Sequence, residues 1–214
     1  MKIAVIGKGG HSKVIQDIIF INEEYEIVAY LDDQYSEVTM IDGVYYGPIM
    51  MAQNIIDYFG EIKFFIAIGN NKVRKSIARQ LGFPAHYYAT LIHRKAIISP
   101  SARIGYGTVV MASAVINADA EIGEHAIVNT NAIVEHDNQI SDFVHISPGA
   151  ALTGAVTVDE GTHIGAGAVI IPNIHLGEWS VIGAGASVIR DIPANCMAVG
   201  TPAKIVKKEI VGGV

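Results

Sequence analysis

Ile122-Gly-Glu-His-Ala-Ile-Val128-Asn-Thr-Asn-Ala-Ile-Val134-Glu-His-Asp-Asn-Gln-Ile140 carries an aliphatic residue at every sixth position, and that beat decides the fold. Followed outward, it starts at Ile98, passes through Ile104, Val110 and Ile116, and continues through Ile146, Leu152, Val158, Ile164, Ile170, Leu176 and Ile182 to Val188. That makes sixteen consecutive hexads without an insertion. Four residues after the aliphatic stands a mostly small residue, as at Ala102, Thr108, Ala114, Ala120, Ala126, Ala132, Ala150, Thr162, Ala168, Ser180 and Ala186. Gly often follows the aliphatic directly, as at Gly105, Gly123, Gly165, Gly177 and Gly183. A period of six matches neither an amphipathic helix nor simple strand alternation. It fits a short strand and a turn, repeated as the flat sides of a triangular coil with the aliphatic inside and the small residue at the tight corner. Three hexads make one coil, so residues 18 apart stack in columns, with neighbouring coils about 4.8 Å apart.

Residues 98 to 193 resemble the hexapeptide-repeat acyltransferases, and the resemblance implies a left-handed parallel β-helix, against the usual right-handed crossover. A solenoid needs covered ends. The N-terminal region is expected to cover the bottom. At the top, Asp191 to Lys204 leads into a short amphipathic tail expected over Ala203–Val211, and Val199-Gly-Thr-Pro-Ala-Lys204 resembles the closing signature of that family.

The first half has a different pattern. Residues 2–6 read as a buried strand, followed by Gly7-Lys-Gly-Gly-His-Ser12 and a helix over Lys13–Ile21. A strand over Glu26–Leu31 ends on Asp32-Asp33. Another over Lys63–Ile68 ends on Gly69-Asn-Asn71 and leads into a helix over Lys72–Leu81. This order predicts a small parallel sheet that binds ligands at its carboxyl edge. A Gly-rich turn opening a helix can present N–H groups to a phosphate. Alone, it reads equally as a tight turn that needs small residues, and Asp32-Asp33 as a solvated strand end.

Composition narrows the classes. The chain of 214 residues is 50% hydrophobic with a net charge of −6, which argues against a nucleic-acid partner. The single cysteine, Cys196, excludes an intrachain disulfide framework. The opening apolar run is too short for a signal peptide and reads as the first strand, and no stretch has the sustained apolarity of a membrane span. A cytoplasmic protein without membrane insertion is expected.

One hexad departs from the rest. After Val134 come Glu135, His136, Asp137 and Asn138, with Asn138 in the place of the small corner residue. His136 suits a general base near neutral pH, with Asp137 or Glu135 to orient it. The alternative is an ordinary polar surface turn. Gly154 lies 18 residues on and should stack above His136, leaving open space beside the imidazole. His145 and His163 are also 18 apart and should stack. Zinc carbonic anhydrases share this fold, but their pair of histidines five residues apart does not occur here, so no metal is expected.

Together, Gly9-Gly-His-Ser-Lys13, Tyr30-Leu-Asp-Asp33, Ala67-Ile-Gly-Asn70, Asn129-Thr, Glu135-His-Asp137, His145-Ile-Ser-Pro-Gly149 and Gly200-Thr-Pro202 resemble the bacterial nucleotide-sugar N-acetyltransferases of the bacillosamine pathway and the related sialic acid O-acetyltransferases. The resemblance implies a nucleotide-sugar-binding α/β Rossmann-like domain over 1–90 and a β-helix acetyl-CoA domain with its cap over 91–214. It implies His136 as the proton acceptor with Asp137 beside it, and His145 at the acetyl-CoA end. Gly154, Ala166 and Ala184 would lie along the coenzyme. Gly10, His11, Ser12, Asp32, Asp33 and Gly69 would line the pocket for a UDP-amino sugar. It also implies a homotrimer with coenzyme A between neighbouring β-helices. Three readings stand at this point: N-transfer to a UDP-linked amino sugar, O-transfer to sialic acid or another sugar hydroxyl, and a non-catalytic sugar-nucleotide-binding protein.

Overall fold

The computed structural model describes residues 1–208. The first half holds β1 (Lys2–Ile6), α1 (Gly10–Asn22), β2 (Glu26–Leu31), β3 (Thr39–Ile41), β4 (Val44–Gly47), α2 (Ala52–Phe59), β5 (Lys63–Ile66) and α3 (Asn71–Leu81). The strands form one sheet in the order β3-β4-β2-β1-β5, parallel throughout except for the antiparallel β3–β4 pair. The β3–β4 hairpin is an addition to the sequence reading. It turns at Asp42-Gly43, both at positive φ (50° and 82°), the dipeptide that two-residue hairpin turns favour.

Chain order reverses at β1, which has β2 on one side and β5 on the other. A crevice therefore opens beyond the carboxyl ends of β1 and β5, where Gly7–Ser12 and the segment from Ile68 to Asn71 lie. α1 buries Ile15, Ile18 and Ile19 against one sheet face, and α2 and α3 cover the other.

The second half is a triangular β-helix. Its two-residue strands stack into three parallel sheets, and partners are 18 residues apart, as in Ile97↔Val115↔Ile133↔Ala151↔Val169↔Ser187. The repeating aliphatics fill the interior. Three faces can be named by their outward residues. The first carries Leu91, Val109, Ile127, His145, His163 and Val181; the second is the column just given; the third carries Arg103, Glu121, Gln139, Thr157 and His175. The first corner (129–132, 147–150, 165–168, 183–186) joins faces one and two. The second corner (135–138, 153–156, 171–174) joins two and three. The third (123–126, 141–144, 159–162, 177–180) leads back to face one.

Each turn has a further period that the hydrophobic pattern does not display. Every sixth residue from Gly107 to Gly185 has a positive φ, at Gly107, Ser113, Asp119, His125, Asn131, Asp137, Phe143, Gly149, Ala155, Gly161, Gly167, Asn173, Trp179 and Gly185. Gly, Asn and Asp tolerate this left-handed geometry, but bulky residues rarely enter it.

The α/β unit does not cover the bottom of the solenoid, as was expected from the sequence. It packs along the first face and third corner, because Leu91, Val109 and Ile127 form an apolar column that joins the core of α1 and the sheet. Ile98 and Ile104 in the lowest coil stay partly exposed as a result. At the top, Ile192, Cys196 and Ala198 close the interior, with Cys196 buried as a core residue. The tail over Lys204–Lys208 is a strand antiparallel to Cys196–Val199, with every residue exposed. It therefore buries no apolar face within the chain. Residues 209–211 of the expected tail lie outside the described residues. Among the described residues, no helix is long and apolar enough to cross a membrane.

Candidate active site

His136 stands on the second corner with most of its side chain in solvent (61% exposed). Its Nδ1 lies 2.7 Å from Asp137 Oδ2. Side chains of consecutive residues rarely face each other; here the left-handed conformation of Asp137 (φ 59°) turns its carboxylate beside the ring. The contact with Asp137 raises the His136 pKa above 6.5, and Glu135 adds to the effect. Glu135 itself accepts a bond from Asn117 Nδ2 at 2.8 Å.

Gly154 does stack on His136, but the expected open space is not there. A Cβ on Gly154 would lie 2.6 Å from Cε1 and 2.7 Å from Nε2 of the ring, so the imidazole itself fills the room a side chain would take. The N–H of Gly154 has no partner among the described residues, which leaves a donor beside the ring.

The crevice of the α/β unit holds the second group of candidate residues. Gly9 and Gly10 open α1 with nothing within 4 Å of where a Cβ would stand. The helix start has neither a side-chain cap nor an acidic first turn, so its N–H groups remain available to an anion. Gly69 lies against His11, and its carbonyl accepts from His145 Nδ1 at 3.3 Å. His145 Nε2 meets Asn129 Nδ2 at 3.1 Å, and its ring packs edge-on against His163 at 4.8 Å. Burial first, then neighbouring positive groups, lower the His145 pKa to about 3. Burial and Arg74 together lower His11 to about 4.

Three expected pocket residues have other duties. Ser12 is fully buried, and its hydroxyl donates to Gly9 O at 2.7 Å, so it shapes the turn. Asp32 accepts the N–H of Lys8 (2.7 Å) and of Gln34 (3.0 Å). Asp33 accepts the N–H of Ile49 (3.1 Å). Both carboxylates are tied into the loops at the carboxyl edge of the sheet.

Arg74 was not foreseen. It is 1% exposed, and its guanidinium donates to the carbonyls of His125 (2.8 Å), Phe143 (2.9 Å), Ile68 (2.9 Å) and Gly69 (3.2 Å) and to Asn71 Oδ1 (2.9 Å). It clasps the crevice to the third corner at two bulky residues in left-handed geometry, His125 and Phe143, whose rings stack at 5.1 Å. Asn71, Arg74 and Ile77 share the buried face of α3, so its helical spacing marked Arg74 as buried.

The expected site residues therefore fall into two groups that do not meet within one chain. His136, Asp137 and Gly154 are on the second corner. His145 lies on the first face beside Gly10, His11 and Gly69, and the exposed Ala166 and Ala184 lie on the adjoining first corner. Gly154 and Ala166 cannot line one groove of a single prism, because they occupy different edges.

Comparison with known proteins agrees with this architecture. Residues 2–81 match the PglD N-terminal domain family. A segment of 105 residues is 48% identical to the UDP-N-acetylbacillosamine N-acetyltransferase of Bacillus subtilis (strain 168), covering 49% of this chain and about half the length of that relative (49%). The structure of PerB from Caulobacter crescentus, in complex with CoA and GDP-perosamine, is 34% identical with a TM-score of 0.86, covering 97% of this chain and 98% of that one. The acetyltransferase domain of PglB from Neisseria gonorrhoeae FA1090 is 40% identical with a TM-score of 0.85, covering 96% and 99% respectively. With identity of this level over nearly the whole length, the chain belongs to the nucleotide-sugar N-acetyltransferase family, whose second half is a left-handed hexapeptide β-helix.

Proposed function

We propose that the protein transfers the acetyl group of acetyl-CoA to the C4 amine of a UDP-linked amino-deoxy sugar, with His136 as the general base. The observation that carries this reading is the solvent-facing His136–Asp137 pair (2.7 Å) stacked on Gly154. The amine nitrogen attacks the thioester carbonyl while His136 takes the amine proton. The tetrahedral intermediate then collapses, the C–S bond breaks, and coenzyme A leaves as the thiolate, which takes up a proton. The unpartnered N–H of Gly154 is the donor for the developing oxyanion. UDP as the carrier follows the resemblance to the Bacillus subtilis relative, which acts on UDP-N-acetylbacillosamine by its name, and a cytoplasmic location is part of the same proposal.

The active protein in this reading is a homotrimer. The second face of the prism is apolar and uncovered, with Ile97 66% and Val169 42% exposed, whereas the third face carries Arg103, Glu121, Gln139, Thr157 and His175. Three prisms that turn their second faces to a common axis bring the first corner of each against the second corner of the next. That closure places His136, Asp137 and Gly154 of one copy opposite His11, Gly69, His145, Ala166 and Ala184 of another. Coenzyme A lies in the groove between them and the sugar nucleotide in the crevice, its diphosphate at the start of α1.

The test is coenzyme A release from acetyl-CoA and a UDP-4-amino-4,6-dideoxy sugar, with sialic acid in parallel and His136→Ala as control. Turnover of the amino sugar, falling by about 10²–10⁴ in His136→Ala, is expected. Turnover with sialic acid alone would replace N-transfer with O-transfer, and full activity in His136→Ala would overturn the base. Sedimentation should give the mass of three chains, and Ile133→Asp on the second face should reduce both that mass and the turnover.

A further inference from the structure

Asn138 occupies the corner position that Ala fills at 114, 120, 126, 132, 150, 168 and 186. It is fully buried. Its Nδ2 donates to Glu135 O at 2.7 Å and to Thr153 O at 2.8 Å, with a longer approach to His136 O at 3.4 Å. The bond to Thr153 is part of the repeat, because Thr108 and Thr162 at equivalent corners reach the carbonyls of Gly123 and Gly177. The bond to Glu135 is different. At Ala114, Ala132 and Ala150 the corner N–H closes the turn onto the carbonyl three residues earlier (3.0–3.2 Å). No such backbone bond is made at Asn138, nor at Val156 and Ile174 above it in the same column, among the described residues; of these three, Asn138 has a side-chain amide that takes the turn's carbonyl.

Stability does not account for this substitution. The Asn138 Oδ1 is buried without a partner, which costs roughly 1–3 kcal/mol, and alanine at the same corner carries no such cost. The turn it ties down is the one that bears His136 and Asp137. We propose that Asn138 is a positioning residue for the general base: its amide holds the Glu135 and His136 carbonyls so that the imidazole lies over Gly154 with Nδ1 against Asp137. This deepens the reading of His136 as the base and rests on it.

The experiment compares Asn138→Ala, Asn138→Thr and His136→Ala with the unaltered trimer, measuring kcat, both KM values, the pH profile of kcat/KM and Tm. Alanine is the residue of most other corners, so Asn138→Ala should fold, with a Tm shifted by only a few degrees and unchanged KM values. Its kcat should fall by about tenfold to a hundredfold, the range set by a misplacement of up to an ångström. Its acid limb should move to lower pH as the Asp137 contact loosens. Asn138→Thr keeps a donor for the Thr153 carbonyl but cannot hold Glu135, so its kcat should match Asn138→Ala. A kcat within twofold of the unaltered enzyme in Asn138→Ala would overturn the proposal. So would a loss that Asn138→Thr restores, which would reduce Asn138 to packing between coils. A fully active His136→Ala would remove the base itself, a failure distinct from either of these.

Discussion

The third and second corners of one prism carry histidines in opposite circumstances. At the third corner and first face, His125 and His145 are closed in by the α/β unit and by Arg74, and burial lowers them to about 4 and about 3. At the second corner, His136 is open to solvent, and the Asp137 carboxylate raises it. Both settings use the same left-handed turn, at His125 and at Asp137. The difference lies in what covers the turn. Where a second unit packs, the imidazole stays neutral and serves as a flat packing surface. Where nothing within the chain covers it, the imidazole is open to solvent and within reach of a bound molecule.

The sharpest way to break this contrast is to remove the covering clasp. Arg74→Met keeps the length of the side chain but strips the donors from the carbonyls of His125 and Phe143 and from Asn71 Oδ1. Each buried acceptor left without a donor costs roughly 1–3 kcal/mol, so Tm should fall by on the order of 10 °C. A fall under about 2 °C in a thermal melt would show that apolar contacts alone hold the two units together.

On the uncovered side, the matching change touches activity and spares stability. Gly154 does not have a positive φ, so alanine is allowed by the backbone, but its Cβ would stand 2.6 Å from the His136 ring. The ring must swing away. Gly154→Ala should lose about a hundredfold in kcat while Tm shifts by only a few degrees. Equal losses in Arg74→Met and Gly154→Ala on both readouts would erase the distinction between the corners.

Much of this was legible in the chain. The aliphatic beat fixed the columns, and residue arithmetic placed Gly154 on His136. The same arithmetic separates Gly154 from Ala166, which are 12 residues apart and not 18, so the division of the site between two edges was available too. Resemblance to a family does not display that division, because it groups residues by role and not by edge. The left-handed beat was hidden by chemistry: His125, Phe143 and Trp179 interrupt a six-residue series otherwise made of Gly, Asn, Asp, Ser and Ala. Arg74 was hidden because a basic residue among Lys72 and Lys75 reads as a solvated helix face. Its spacing of three from Asn71 and from Ile77 was the one sign of the buried face it shares with them.

Acid should act on the covered side through stability, at lower pH than it acts on the open one. His11, His125 and His145 have folded pKa values of about 4, 4 and 3, below the ordinary 6.5. Between those values the unfolded chain binds more protons than the folded one, so stability rises with pH across that window. It is fully present above 6.5 and is lost as pH falls towards 4. Tm measured from pH 8 to pH 4.5 should be level at first and then drop below about 6.5. His125→Asn, which tolerates the left-handed turn, should make the slope shallower. A slope that does not change would remove His125 from the linkage.

The smallest effect separates the two duties of Asp137, as a left-handed turn residue (φ 59°) and as the partner of His136 Nδ1. Asparagine keeps the first duty, because its side chain also suits that backbone. It loses the second, because an amide carries no charge to stabilise the imidazolium. A base works deprotonated, so activity climbs as pH rises through its pKa. With Asp137 in place that rise lies above 6.5. In Asp137→Asn it should move to lower pH, and the variant should keep a larger share of its own maximum at pH 6.5 than the unaltered enzyme does. Its maximal kcat should drop only severalfold, since a less basic imidazole still accepts the proton. A limb that stays in place while kcat falls would mean that the carboxylate orients the ring without tuning it. A limb that moves with kcat nearly intact would show the electrostatic effect on its own, in the one histidine of the two corners that solvent can reach.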